Sequence, residues 1–298
     1  MSLRQMEYFL TVVDTASFTR AAASLHVTQP ALSHQIKALE RQVGGELLER
    51  LPRGVRLTPM GRAFLPHAEL AVRSAVQAER AARAAAGAEG GELHIAALHA
   101  LAAGLLPPVF ARWRRARPGV ELVLHEYARD EDLADSMERG VADLAVGHRP
   151  APPADTAGPL REIGEEQIVV ALPPGDPLAG AGRVPLTALA DRDWIRCAME
   201  PVVDGRPFID LACERAGFTP RTAVRTEHTS TAVRLAAEGA GIAVVPSCVV
   251  PAGCPVVRLD PDWHRPLYVF ARVPFAGAAA AFVSLLAGPA EAAAADRA

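Results

Sequence analysis

Cysteine, lysine and long apolar runs are all scarce in this 298-residue chain. The four cysteines, Cys197, Cys213, Cys248 and Cys254, show no C-x-x-C or other paired spacing. That removes a structural zinc site of the usual kind and leaves a reduced, cytoplasmic protein as the expectation. Lys37 is the only lysine, and an arginine- and alanine-heavy chain of this kind fits a GC-rich genome. No segment is long and apolar enough to span a membrane. Residues Ser2 to Asp14 carry an apolar helical stripe instead of an uninterrupted apolar run, so no signal peptide is expected there. The chain also contains no G-x-S-x-G elbow, P-loop, G-x-G-x-x-G fingerprint or H-E-x-x-H pair, and no enzymatic activity is expected from it.

Half of the residues are hydrophobic, and the length allows more than one domain with sizeable cores. The net charge is −3, unevenly spread. Residues 1–60 hold seven Lys/Arg against five Asp/Glu, residues 61–91 hold four Arg against three Glu, and the remainder is left with −6. A mildly basic head on an acidic body suits one module that faces DNA and one that avoids it.

Within that head, Thr28 to Glu40 organises the reading. Thr28 is placed to cap a helix with its hydroxyl, and Pro30 falls in the first turn, where a missing N–H is harmless. Leu32, Ile36, Leu39 and Val43 recur on one apolar face. Gln29, Ser33, His34, Lys37 and Arg41 fall opposite, and Gly44-Gly45 ends the helix. Amides, a hydroxyl, an imidazole and cations can read base edges and neutralise phosphates, although an ordinary solvated face has the same pattern. The neighbours point to the first. Ser2 and Gln5 form a capping box before a stripe of Leu3, Met6, Phe9, Leu10 and Val13. Ser17 or Thr19 caps a short helix over residues 20–25, which turns through His26-Val27 into the helix after Thr28, the pattern of a helix-turn-helix.

Residues 46–51 and 55–57 read as short strands around a Pro52-Arg53-Gly54 turn, a wing with Arg50, Arg53 and Arg56 beside a DNA backbone. Thr58-Pro59 starts a long helix to about Ala86, whose small-residue seam (Phe64, Ala68, Ala71, Ala75, Ala78, Ala82) suits pairing with a second copy or packing on its own domain. Gly87, Gly90 and Gly91 mark a hinge. Strands and helices then alternate. Strands are expected at 93–98, 120–125, 142–147, 167–172, 194–197, 223–226, 242–245 and 267–273. Helices are expected at 105–117, 131–139, 207–216, 230–238 and 278–287. Such alternation predicts a mostly parallel sheet covered on both faces.

The first ninety residues closely resemble the LysR-type transcriptional regulators. The match runs through Ser17-Phe18-Thr19-Arg20-Ala21-Ala22, Leu25 to Ser33, Gln35 to Glu40 and Leu57-Thr58-Pro59-Met60-Gly61. Looser matches follow at Leu105-Leu106-Pro107, Arg117-Pro118-Gly119-Val120, Gly140 to Val146 and Gly239 to Pro246. The resemblance implies an α/β protein overall. A mainly α winged helix-turn-helix would occupy residues 1–58, with its motif at about 18–37. A linker or dimerisation helix would follow at 59–88. An effector-binding domain like a type 2 periplasmic binding protein would fill 92–298, with lobe I at 92–161 and 266–298 and lobe II at 162–265. It implies double-stranded promoter DNA, a small-molecule effector, a second copy in a dimer or tetramer, and RNA polymerase as partners, with no membrane and no bound cofactor or metal. Two departures stand out: Leu48 where the family often has Phe, and Ala100 where many members place a ligand-bonding Ser or Thr.

From the resemblance and helix geometry, Gln29, Pro30, Ser33, His34 and Lys37 are expected in the groove, with Arg53 and Arg56 on the backbone. Strand ends and helix starts favour anions in open α/β folds. His99, Ala100, Leu101, Arg129, His148, Arg196, Thr229 and Ser230 are therefore expected to hold a small anion, a carboxylate above all. His99, His125, His148 and His228 each follow an expected strand end. The same histidines could instead form a metal site or have no task. Cys197 and Cys213 open a redox-sensing alternative, and a ligand-independent DNA protein is another. A free-standing solute-binding protein is excluded by the helix-turn-helix head.

Overall fold

The computed structural model describes residues 1–51, 54–85, 91–150, 158–197, 202–203 and 206–287. Two compact units result, one of Met1–Gly87 with Glu138–Val141 and one of Ala88–Met137 with Ala142–Ala298.

In the first unit, α1 (Leu3–Thr15), α2 (Phe18–Ser24) and α3 (Gln29–Val43) precede a hairpin of β1 (Leu48–Leu51) and β2 (Gly54–Leu57), and α4 spans Pro59–Ala85. The Ser2–Gln5 capping box forms, and Ser17, not Thr19, caps α2 by accepting from the Arg20 amide. Leu32, Ile36 and Leu39 of α3 are buried against Phe9, Val12, Phe18 and Ala21. Thr28 sits at the cap of α3, but its hydroxyl makes no capping bond there. The turn between α2 and α3 is closed by His26, whose φ of 54° is left-handed. Glu40 reaches out of α3 and accepts from the amides of Leu47 (2.9 Å) and Leu48 (3.2 Å), which fixes where the wing begins. Thr58 caps α4 by accepting from the Gly61 amide and also donates to the Glu46 carbonyl at 2.6 Å. Gly61 lies so close to that crossing that a Cβ there would stand 2.0 Å from the Leu47 carbonyl oxygen. Of the small-residue seam, Phe64 stacks edge-on to Phe9 at 5.3 Å and Ala68 is fully buried, so its first part packs on its own domain.

The second unit runs β3 (Gly91–Leu98), α5 (His99–Gly104), α6 (Leu106–Ala116), β4 (Val120–Tyr127), α7 (Asp130–Glu138), β5 (Leu144–Gly147) and β6 (Leu160–Ala171). It continues through β7 (Arg183–Pro185), β8 (Asp193–Cys197), β9 (Val202–Val203), β10 (Arg206–Pro207), α8 (Phe208–Arg215), β11 (Arg221–Thr226), α9 (Thr229–Ala237), β12 (Ala243–Pro246), β13 (Val256–Phe270) and α10 (Gly277–Leu286). The main sheet has the order β12-β6-β13-β5-β3-β4, with β7 beside β13. It is mixed, not mostly parallel. Strands β3, β4 and β5 pair in parallel, whereas β13 is antiparallel to β5 and β6, and β6 to β12. The cause is the long antiparallel pair β6–β13, which runs through both lobes and carries the chain between them. Strand β8 pairs in parallel with β11 and is joined to the approach of β12 through Trp194 and Ile242.

Two lobes follow from that arrangement. Lobe I packs α6 and α10 over its strands, with Trp113 edge-on to Phe282 at 5.6 Å. Lobe II has one cluster on each sheet face: Val170, Trp194 and Ile209 lie in one, Val169, Ile195 and Val233 in the other. Neighbouring Val169 and Val170 point opposite ways, as strand alternation requires. The expected hinge residues Gly87 and Gly90 lie outside the described residues.

Candidate functional site

The amphipathic pattern of α3 buries one face and leaves the other outside. Pro30, His34 and Lys37 are exposed, and Gln29 and Ser33 are half-buried beside them. Gln35 is tied back to α1, where Gln5 Nε2 donates to its Oε1 at 3.3 Å. Strand register puts Glu49 opposite Arg56 in the wing, and the two form an ion pair at 2.7 Å, with the Arg56 side chain 63% and the Glu49 side chain 47% exposed. An exposed pair of this kind is worth roughly 0–1 kcal/mol, so Arg56 can exchange the carboxylate for a phosphate at little cost. Arg53 lies outside the described residues. Arg50 was expected beside the backbone only, but its Nη2 donates to Ser33 Oγ at 2.6 Å and its guanidinium lies over the Phe18 ring at 4.3 Å.

In the second unit the predicted effector residues divide. His99 opens α5 straight after β3, and His228 sits at the N-cap position of α9 without a capping bond from its side chain. Their rings meet at 4.4 Å, which brings His99 and Ala100 of lobe I beside His228, Thr229 and Ser230 of lobe II. His99 Nδ1 bonds Glu126 at 2.6 Å, while His228 Nδ1 is buried with no partner among the described residues. The carbonyl of Ala100 faces Cys248 Sγ at 3.9 Å. Burial first, then the charge of Glu166, pushes the Cys248 thiol up to about 11, so it stays protonated.

Four members of the predicted set stand apart: Leu101, Arg129, Arg196 and His148. The Leu101 side chain is fully buried in the lobe I core, where it cannot touch a ligand. Arg129 is exposed and paired with its own helix, at 3.2 Å from Asp132. Arg196 is only 4% exposed and donates to Asp210 at 2.6 Å. His125 does not end a strand, because β4 continues to Tyr127. It stacks on His94, with Nε2 3.1 Å from His94 Nδ1, and burial together with His94 lowers its pKa.

His148 belongs to a group that sequence reasoning missed. It follows β5 directly and bonds Asp130, the first residue of α7, at 3.0 Å and Glu166 of β6 at 3.4 Å. Arg265, the cross-strand partner of Glu166 on β13, donates to the same Glu166 Oε1 at 2.9 Å through Nε. Glu166 is 5% exposed, and its Oε2 has no partner among the described residues. Burial opposes charge on all three titrating groups. Even so, the bonds from His148 and the charge of Arg265 hold Asp130 and Glu166 below their ordinary values, and the two carboxylates raise His148 above its own. The quartet is a neutral electrostatic lock on the strands that join the lobes, with Glu166 buried at its centre and Asp130 about half exposed at its rim. Its members are 18 residues or more apart in sequence, so no local pattern announces it.

Two open depressions, of about 540 and 280 Å³, lie elsewhere: one at the wing base around Arg56, Thr58 and Arg62, the other around Asp176, Arg192 and Arg221. Cys197 and Cys213 are buried. Among the described residues no group of three or more His, Cys, Asp or Glu could hold a metal ion.

Comparison with known proteins accounts for both units. Residues 3–62 match the bacterial regulatory helix-turn-helix domain of the lysR family, and residues 86–287 match the LysR substrate binding domain. A probable hydrogen peroxide-inducible genes activator of Mycobacterium avium is 34% identical over 258 residues, covering 84% of this chain and 79% of that protein. The HTH-type transcriptional regulator AlsR of Bacillus subtilis is 32% identical over 249 residues, covering 83% and 81%. Among solved structures, a full-length OxyR variant from Pseudomonas aeruginosa superposes with a TM-score of 0.68 at 25% identity, covering 96% of this chain and 93% of that one. Full-length CbnR in complex with its target DNA shares the fold, with a TM-score of 0.68 at 24% identity over 96% and 99%. This chain belongs to the LysR family of DNA-binding transcription regulators, with a helix-turn-helix head and an effector-binding domain.

Proposed function

We propose that the exposed face of α3 reads promoter DNA, that the protein works in the cytoplasm as a homodimer or homotetramer, and that a small anionic effector bound between the lobes controls its contact with RNA polymerase. The observation that carries the DNA part is the polar face of α3, with Pro30, His34 and Lys37 exposed and Gln29 and Ser33 at its edge. Gln29 pairs an adenine edge, Lys37 reaches guanine or phosphate, and Arg53 and Arg56 hold the backbone. CbnR, which shares the fold, is seen on its target DNA. Two such heads in a dimer fit an inverted repeat with half-sites about one helical turn apart. The chain acts by binding and catalyses nothing.

The effector part rests on His228, whose buried Nδ1 lacks a partner among the described residues, beside Thr229, Ser230, His99 and Ala100. Helix-start amides, the Thr229 hydroxyl and an imidazole suit a carboxylate. His148, Arg129 and Arg196 are committed to acidic partners, and His99 Nδ1 to Glu126, which leaves His228 as the basic side chain of this site with an unpartnered nitrogen among the described residues. Calorimetry with a panel of small carboxylates tests the proposal. Binding that weakens at least tenfold in Thr229→Val supports it, and a panel without heat, or heat unchanged by that substitution, removes it. A peroxide-sensing reading has the Mycobacterium avium relative in its favour. Against it, Cys197 and Cys213 are 7% and 0% exposed, out of reach of dissolved oxidant. A disulfide found by mass spectrometry after mild peroxide would reinstate it.

A further inference from the structure

We infer that Arg50 is a positioning residue for DNA recognition: it turns the Ser33 hydroxyl into a dedicated hydrogen-bond donor toward the base edge. The inference rests on the proposal that the α3 face reads DNA. A serine hydroxyl has one hydrogen and two lone pairs, so unaided it can donate to a purine N7 or accept from an exocyclic amine, and it discriminates poorly. Here the guanidinium of Arg50 donates to Ser33 Oγ at 2.6 Å. An arginine cannot accept, so the hydroxyl hydrogen must point away from it. A cation on the oxygen also makes that hydrogen a better donor.

Arg50 is held for this task from three directions. Its backbone is fixed in β1 opposite Val55. Its guanidinium lies over Phe18 at 4.3 Å, and Phe18 is buried at the start of α2. Its Nη2 reaches Ser33 on the second turn of α3. One side chain thus links the wing to both helices of the motif. No carboxylate among the described residues competes for it, in contrast to Arg56, which has Glu49. Ser33 then prefers hydrogen-bond acceptors, such as guanine N7 and O6, adenine N7 or thymine O4.

Selection from a random duplex library by the full chain tests this, with wild type, Arg50→Lys, Ser33→Ala and the double variant compared. Lysine keeps the charge but loses the planar fork. The wild type is expected to prefer an acceptor-bearing base by about tenfold at one position per half-site. Both single variants should lose that preference, the double variant should lose no more than either, and the salt slope of Arg50→Lys should equal that of the wild type. Replacing the preferred purine by its 7-deaza analogue should cost the wild type about tenfold and leave Arg50→Lys unaffected. Because Ser33→Ala leaves the Phe18 stack intact, its result stands even where Arg50→Lys loosens the wing. An enriched site that Arg50→Lys retains, or a loss equal on all sequences with a smaller salt slope, makes Arg50 a phosphate anchor and overturns the inference. A wild-type selection that enriches nothing overturns the DNA proposal itself, and this inference with it.

Discussion

Replacing Glu166 by Gln removes one charge from the lock between the lobes and leaves its shape in place. Arg265 and His148 then face a neutral amide. Taking one partner from a buried ion pair costs about 3–5 kcal/mol. The Arg265 side chain is 29% exposed, so water recovers part of its charge and the low end applies, about 3 kcal/mol. For a unit of this size that lowers Tm by roughly 6–12 °C. The effect also depends on pH with a definite sign. His148 is raised above 6.5, so its contribution is complete below pH 6.5 and is lost as pH rises through the folded value. Asp130 and Glu166 are lowered from 3.8 and 4.5, so theirs is present above those values and is lost as pH falls through the folded ones. The wild-type lock is therefore strongest between pH 4.5 and 6.5. Glu166→Gln should be most damaging in that window, and its stability should fall less than the wild type's between pH 6.5 and 8.5, because His148 has lost one of its two carboxylates. Tryptophan fluorescence under urea isolates the effect, since Trp113, Trp194 and Trp263 all lie in the second unit. A Glu166→Gln protein within 0.5 kcal/mol of wild type at pH 6, or with an unchanged pH slope, would refute the reasoning about this cluster.

Two further substitutions probe the first unit. Gly61→Ala forces a Cβ against the Leu47 carbonyl and should destabilise the head by about 1–3 kcal/mol, read as a loss of helical circular dichroism at lower temperature. Arg56→Ala should weaken binding to all DNA sequences alike and reduce the salt slope by about 1, measured by fluorescence anisotropy.

Much of the head was legible because its signals are local. Leu32, Ile36 and Leu39 recur at helical spacing and are buried, and the Ser2–Gln5 box and Thr58 cap act within one turn. What escaped depends on residues far apart. Glu40 reads as an exposed helical acid until the chain returns to place the Leu47 and Leu48 amides on it. Strand β13 was expected only from residue 267, because Pro261, Pro266 and the charges between them argue against a strand; β7 and β6 pair with that stretch all the same. Strand β6 was expected only from residue 167 for a similar reason, with Gly164 and three glutamates ahead of its apolar end. The effector side shows the same division. The helix start at Thr229 was legible, whereas α5 was not, since the first helix of this unit was expected only from residue 105; nor were the acidic partners of His148, Arg129 and Arg196, which change what the three can bind.

The most direct test of the account is the affinity of the full chain for a duplex taken from library selection, against a scrambled duplex of equal length, across a salt series. The account predicts tighter binding to the selected duplex by about 10³-fold or more at physiological salt, with a negative slope in salt and a loss of discrimination when Ser33 and Lys37 are replaced. Equal affinity for both duplexes at every salt concentration would contradict it.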